Sequence, residues 1–245
     1  MKLFAISDLH LSSDPEKKMD HFGEQWINHA SKIYDNWKRI VGEDDVVLIS
    51  GDICWAKKLS EGVKELELIS DLPGEKVFVK GNHDFWWESI NKVRSQNLPR
   101  MHFIQNNAIV LGDFAITGTR LWDYEFIKWP CVFIGREDQI PAPKTINEEW
   151  LEKIRKRELN RLKSGLKALP DNKYKIAMVH YPPIDENGKN NQLTDLMTKY
   201  GVDLCVFGHI HSAQGSPIGA DCTIGKTRYK LTTCDWLDFT PICLK

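Results

Sequence analysis

The sequence predicts an α/β fold from three observations. Short apolar runs alternate along the chain with stretches whose apolar residues recur at three and four. Polar residues able to carry chemistry stand at the ends of those apolar runs, where open α/β sheets build their sites. The 245 residues, 42% apolar and 27% charged, are enough for a core without staples, and no repeat, low-complexity tract or linker interrupts them. A single domain over residues 1–245 follows.

Leu3 to Ile6 forms the first buried strand. Apolar residues at Met19, Phe22, Trp26, Ala30, Ile33, Trp37 and Ile40 then stripe one face of a long helix. Val46 to Ile49 is the second strand, and Leu59, Val63, Leu66 and Ile69 repeat the helical spacing up to Pro73-Gly74. Val77 to Val79 is the third strand, and parallel strands here require right-handed crossovers.

A short helix is marked by Ile90 and Val93. Phe103, Ile109 to Leu111 and Phe114 to Thr117 follow as two or three strands joined by tight turns at Asn106-Asn107 and Gly112-Asp113. Residues 120–146 show no period, yet hold Trp122, Tyr124, Phe126, Trp129 and Phe133 with three prolines; they form an aromatic insert, either functional or locally folded. A capping box of Thr145 and Glu148 opens a basic helix over about 147–169, with Leu151, Ile154, Leu159, Leu162, Leu166 and Leu169 on one face. Ile176 to Val179 and Leu204 to Phe207 are further strands, flanking a helix at Leu193, Leu196 and Met197.

Lys+Arg 33 against Asp+Glu 34 leaves a formal charge of −1, so no global electrostatic footprint coats nucleic acid or an anionic membrane. The six cysteines contain no CxxC pair, which argues against a disulfide framework or a thiolate zinc site. At the N-terminus a four-residue apolar run ends at Ser7-Asp8, fitting neither a signal peptide nor a spanning helix; a cytoplasmic protein with reduced thiols is expected.

Five strand ends carry the chemistry: Asp8-Leu9-His10, Gly51-Asp52, Gly81-Asn82-His83-Asp84, His180-Tyr181 and Gly208-His209-Ile210-His211. Their carboxylate, imidazole and carboxamide groups suit Mn, Fe, Co or Zn in oxygen and nitrogen coordination. In extended backbone residues i and i+2 point the same way, so Asp8 with His10, and His209 with His211, are each expected to reach one centre. The glycines before Asp52, Asn82 and His209 fit sharp strand exits, where backbone turns or approaches an ion closely. Seven ligands are too many for one tetrahedral ion and suit two ions sharing a carboxylate and a water, a clamp for phosphate.

The ordered set Asp8-x-His10, Gly51-Asp52, Gly81-Asn82-His83-Asp84, His180 and Gly208-His209-x-His211 resembles the calcineurin-like metallophosphoesterase family over residues 8–211. The resemblance implies a four-layer α/β/β/α sandwich of two mixed sheets with flanking helices and a dinuclear site at strand ends. It implies that Asp8, His10 and His211 hold one divalent or trivalent ion (Mn, Fe, Zn or Co), that Asn82, His180 and His209 hold the other, and that Asp52 bridges them. It also implies that His83 contacts the phosphate or protonates the leaving oxygen, that Asp84 orients the His83 ring, and that a metal-bound hydroxide attacks phosphorus in line. Substrates of the family include phosphomonoesters, phosphodiesters and nucleic acids. A non-catalytic scaffold of the same fold, or a nuclease, is the alternative; here every motif position is filled.

Outside the motifs, His21, His29 and His102 read as structural. Cys54 reads as core packing, although an extended backbone would turn it toward Asp52, and Trp86 and Trp87 read as packing residues. Arg120 is a candidate substrate contact for a phosphate or carboxylate, or else a partner of Asp123. The aromatic insert is a lid, a wall or a dimer interface. On the basic helix Glu148, Glu149, Glu152 and Glu158 interleave with Lys and Arg, which reads as a solvated face of ion pairs rather than a nucleic-acid surface. Specificity is expected in residues 120–146 and in the tail from Ser212 to Lys245.

Overall fold

Two mixed sheets lie face to face, and the alternation of side chains along their strands shows how. In β1 (Leu3–Ala5), β2 (Val46–Ile49) and β3 (Glu75–Phe78), residues Leu3, Ala5, Val46, Leu48 and Val77 pack in one cluster. Their neighbours Phe4, Val47, Ile49 and Phe78 pack in another. The first cluster also takes Ile176, Met178, Leu204 and Val206, every second residue of β7 (Tyr174–Val179) and β8 (Leu204–Phe207); it is the layer between the sheets. Both faces of these strands are buried, which is why they read as unbroken apolar runs. Coordinates come from a computed structural model that describes residues 1–14, 17, 19–129, 147–213 and 215–245.

The first sheet has the order β11-β1-β2-β3-β4, where β4 is Met101–Phe103 and β11 is Ile242–Cys243; only β11 is antiparallel to its neighbour. The second runs β5-β6-β7-β8-β10-β9, with β5 (Ala108–Leu111) and β9 (Asp221–Ile224) antiparallel at the edges and β6 (Phe114–Thr119), β7, β8 and β10 (Thr227–Leu231) parallel. Helices α1 (His29–Ile40) and α2 (Leu59–Ser70) cover the outer face of the first sheet through Ile33, Trp37, Leu66 and Ile69. Helices α4 (Glu148–Lys167) and α5 (Gln192–Lys199) cover the second through Leu162, Leu166, Leu193 and Met197. The expected α/β/β/α layering is thus present, with α3 (Ile90–Arg94) packing Val93 onto the first sheet's outer core.

Several expectations need correction. The stripe from Met19 to Ile40 is not one helix but two 3-10 turns, Met19–Phe22 and Glu24–Trp26, followed by α1. Gly23 (φ 129°) and Asn28 (φ 57°) leave the right-handed helical region and break it. Phe103 and Ile109 do not share a sheet: β4 ends the first, and the β5–β6 hairpin begins the second. Asn147 caps α4, its side chain accepting the Trp150 N–H at 3.2 Å; Thr145 and residues 130–146 of the aromatic insert lie outside the described residues. The tail adds β9, β10 and β11 to the sheets. Among the described residues, no helix is long and apolar enough to cross a membrane.

Candidate metal centre

Parallel strands of both sheets deliver their C-terminal ends to one edge. β1 leads into Asp8, β2 into Asp52, β3 into Asn82, β7 into His180 and β8 into His209. The exits are sharp: Asp8, His10, Asp52 and His209 have φ of 57°, 45°, 50° and 71°, in the left-handed region that non-glycine residues seldom occupy. Cross-loop hydrogen bonds hold them there, from Asp8 N–H to the Gly51 carbonyl (2.9 Å) and from His10 N–H to the Asp52 carbonyl (3.0 Å). This backbone is not extended, so the i, i+2 expectation fails for one pair. His209 and His211 diverge into different groups, whereas Asp8 and His10 stay together through paired left-handed turns.

The ligand atoms gather in two groups, Asp8, His10 and His211 in one and Asp52, His180 and His209 in the other, each within 4.8 Å. Asn82 joins the second, its Oδ1 lying 2.6 Å from His180 Nε2. Asp52 Oδ2 lies 3.6 Å from His180 Nε2 and 3.9 Å from His10 Nε2, so one carboxylate oxygen faces both groups.

Hydrogen-bond chemistry tests whether these donors fit metal. A carbonyl only accepts, so the 2.9 Å contact to the Ser50 oxygen places the His180 proton on Nδ1. Burial lowers the pKa of His180 to about 3, so the ring is neutral and Nε2 presents a lone pair to the Asn82 side-chain oxygen 2.6 Å away. Lone pairs facing lone pairs at a buried position call for a cation, and the donor set fits one.

In the other group, His211 Nδ1 donates to Asp235 Oδ1 at 2.9 Å, and its Nε2 lies 3.1 Å from His10 Nε2 and 3.5 Å from Asp8 Oδ1. Burial alone would lower the His211 pKa, but its contacts with Asp235 and Asp8 raise it to about 10. His10 is held well below the usual imidazole range, first by burial and then by the charge of His211, and its buried Nδ1 has no partner among the described residues. Burial, reinforced by Asp8 and Asp84, raises Asp52 well above the usual carboxylate range, while burial lowers His209 to about 3.

His83 stands at the rim, half-buried, 4.6 Å from the Trp55 ring and 5.6 Å from the His10 ring. Its N–H donates to Asp52 Oδ1 at 2.7 Å. Asp84 does not orient the His83 ring as expected. Fully buried, its carboxylate accepts from the N–H groups of Ile53 (2.8 Å), Cys54 (3.4 Å) and Gly81 (2.7 Å) and from Trp86 Nε1 (3.1 Å), tying the second and third strand exits together. Cys54, Trp86 and Trp87 are buried in the outer core of the first sheet. Among the other histidines, His29 bonds the Leu9 carbonyl and His102 bonds Glu75.

Arg120 pairs with Glu158, not Asp123, at 4.0 Å, and stacks on Trp122 with Cζ 4.4 Å from the ring centroid. Glu158 is no part of a solvated face: fully buried, it accepts from Thr119, Arg157 and Arg161. Lys153 and Glu149 do form the expected exposed pair.

Two supports had no mark in the sequence. One is Asp235, which follows β10 and takes both His211 Nδ1–H and the Ser212 N–H. The other is Ser7, whose hydroxyl donates to Asp8 Oδ2 at 2.6 Å. The glycines at the strand exits make room for ligands rather than for an ion: a Cβ on Gly81 would overlap Asp52 Oδ1, and one on Gly208 would overlap Asp8 Oδ2.

Gene 66 protein of Mycobacterium phage L5 is 33% identical over 78 residues, 32% of this chain and 37% of that protein. Uncharacterized protein MJ1445 of Methanocaldococcus jannaschii is 30% identical over 93 residues, 38% of this chain and 52% of that protein. The chain thus matches between about a third and about half the length of these curated relatives. The crystal structure of the Aquifex aeolicus protein of unknown function AQ665 aligns with a TM-score of 0.48 at 16% identity, over 99% of this chain and 95% of that one. Residues 1–213 match the family model described as calcineurin-like phosphoesterase, a span that takes in every strand-end motif above. The chain belongs to the calcineurin-like phosphoesterase family.

Proposed function

We propose that this chain is a metal-dependent phosphohydrolase in which Asp8, His10 and His211 hold one ion, Asn82, His180 and His209 hold a second, and Asp52 bridges them. The observation that carries the reading is the Asp52 carboxylate oxygen within 4 Å of an imidazole nitrogen of each group. When bound, a pair of Mn, Fe, Zn or Co ions supplies Lewis acidity toward phosphoryl oxygens and lowers the pKa of water toward neutrality.

The chain's own residues set the geometry. Ser50 and Asp235 fix the tautomers of His180 and His211, so each Nε2 faces its group. Asp84 holds the Asn82 loop against the Asp52 loop through backbone N–H groups. Tilted against Trp55 at the rim, His83 makes no side-chain hydrogen bond among the described residues, and its ring is free to give a proton to the leaving oxygen. Burial lowers its pKa. A phosphoryl dianion beside the ring favours the imidazolium and opposes that shift.

Chelated protein reloaded with manganese, assayed on an aryl phosphodiester and its matching monoester beside His209→Ala, tests the proposal. Turnover of either ester that His209→Ala loses supports it. Two bound metals per chain with no turnover of either ester, or turnover that survives His209→Ala, contradicts it.

A further inference from the structure

Arg120 stands beside the candidate metal centre, and among the described residues the hydrogen-bonding capacity of its guanidinium is unspent. The parallel register of β6 and β7 pairs Thr119 with Val179, and just beyond it the Arg120 carbonyl accepts the Tyr181 N–H at 3.0 Å. Arg120 is therefore the lateral neighbour of His180. Its guanidinium lies on Trp122, Trp122 packs on Tyr181 with centroids 5.2 Å apart, and Tyr181 packs on His209 at 4.3 Å. A continuous series of tilted ring contacts thus links Arg120 to a candidate ligand.

The surrounding charge is in surplus. Glu158 spends its oxygens on Thr119 (2.7 Å), Arg161 (2.7 Å) and Arg157 (3.1 Å), leaving Arg120 outside hydrogen-bond reach at 4.0 Å. Among the described residues no acceptor takes a hydrogen bond from the Arg120 guanidinium, although its side chain is only 17% exposed. Three arginines share one carboxylate at the edge of the site. A planar guanidinium with free donors in such a place matches a carboxylate or phosphate oxygen pair.

We infer that Arg120 binds a second anionic group of the substrate, so that the preferred substrates are phosphoesters bearing a carboxylate or further phosphate beyond the phosphoryl group attacked. The inference rests on the phosphohydrolase reading of the centre.

Calorimetric titration of the manganese-loaded protein with straight-chain ω-phosphonocarboxylates and the matching alkylphosphonates, which have no ester to hydrolyse, measures the second anion directly. At one chain length the carboxylate is expected to raise affinity by about tenfold or more, and Arg120→Gln to cut that advantage below about twofold. Arg120→Lys, which keeps charge without the planar fork, is expected to retain part of it. Bisphosphonates of the same lengths distinguish a phosphate from a carboxylate as the better second anion. Equal affinities at every length, no phosphonate binding, or an advantage that survives Arg120→Gln overturns the inference.

Aryl phosphate turnover by the same preparations separates the two readings. Turnover without an anion advantage removes the Arg120 site and leaves the hydrolase. An anion advantage without turnover removes the hydrolase and leaves the anion site.

Discussion

Asp235 Oδ1 accepts the Nδ1–H of His211 at 2.9 Å, while its other oxygen takes the Ser212 N–H at 2.8 Å. One carboxylate therefore sets both the tautomer and the tilt of an imidazole whose far nitrogen faces Asp8 and His10. Asp235→Ala is expected to weaken metal binding at that group by about 10–100-fold. Titration against a competing chelator checks this, and unchanged affinity counts against it.

The glycines at the strand exits are packed by the ligands themselves. An added methyl at Gly81 meets Asp52 Oδ1 and its backbone nitrogen; one at Gly208 meets Asp8 Oδ2 and Ser7 Oγ. Each change to Ala displaces a carboxylate that has no room to retreat. Turnover is expected to fall by about 100-fold or more in both variants. Wild-type rates in either variant with its fold intact would show that the crowding is relieved elsewhere.

Metal binding is expected to expel protons. In the metal-free chain the Asp8 and Asp235 contacts outweigh burial and raise His211 to about 10, while burial and neighbouring carboxylates raise Asp52. Both groups hold their protons more tightly than usual, and both lose them to become ligands. Below about pH 10 the apparent affinity for metal therefore rises with pH, by about tenfold per pH unit for each proton displaced. Calorimetry in buffers of different ionisation enthalpy at pH 7.5 is expected to show at least one proton released per chain, and a count of zero contradicts the assignment.

A buried lysine ends helix α2. The Lys76 ammonium, from β3, donates to the carbonyls of Ser70 (3.0 Å), Leu72 (2.6 Å) and Gly74 (2.9 Å). These acceptors lie at and just past the helix C-terminus, where carbonyls lack partners and the dipole favours a cation. Lys76→Met keeps the volume and strands them, so a loss of about 2–3 kcal/mol in denaturant unfolding is expected. A smaller change than about 0.5 kcal/mol would mean that the carbonyls find other donors.

Central strands such as Val46 to Ile49 and Leu204 to Phe207 were legible because both faces of each are buried, which leaves no polar alternation to confuse the reading. Ligand candidates were legible because each follows such a run directly. Lost to the sequence was whatever depends on backbone sign or on distant partners. Spacing alone carries the helical stripe across Gly23 and Asn28, since apolar periodicity does not register φ. The i, i+2 argument for His209 and His211 fails for the same reason. Glu158 sits among basic residues on a helix and reads as a surface charge until Thr119 and Arg120 arrive from β6. Asp84 follows His83 directly, yet its bonds run to the backbone of Ile53 and Gly81. Asp235 lies 24 residues from His211, in a tail whose sequence carries no motif.

The central claim, that Asp52 joins two metal sites, is tested most directly by electron paramagnetic resonance of the manganese-loaded chain alongside metal analysis. The account predicts two manganese ions per wild-type chain with the signature of an exchange-coupled pair, and loss of that coupling in Asp52→Asn. One ion per chain, two uncoupled ions in the wild type, or coupling that persists in Asp52→Asn would contradict it.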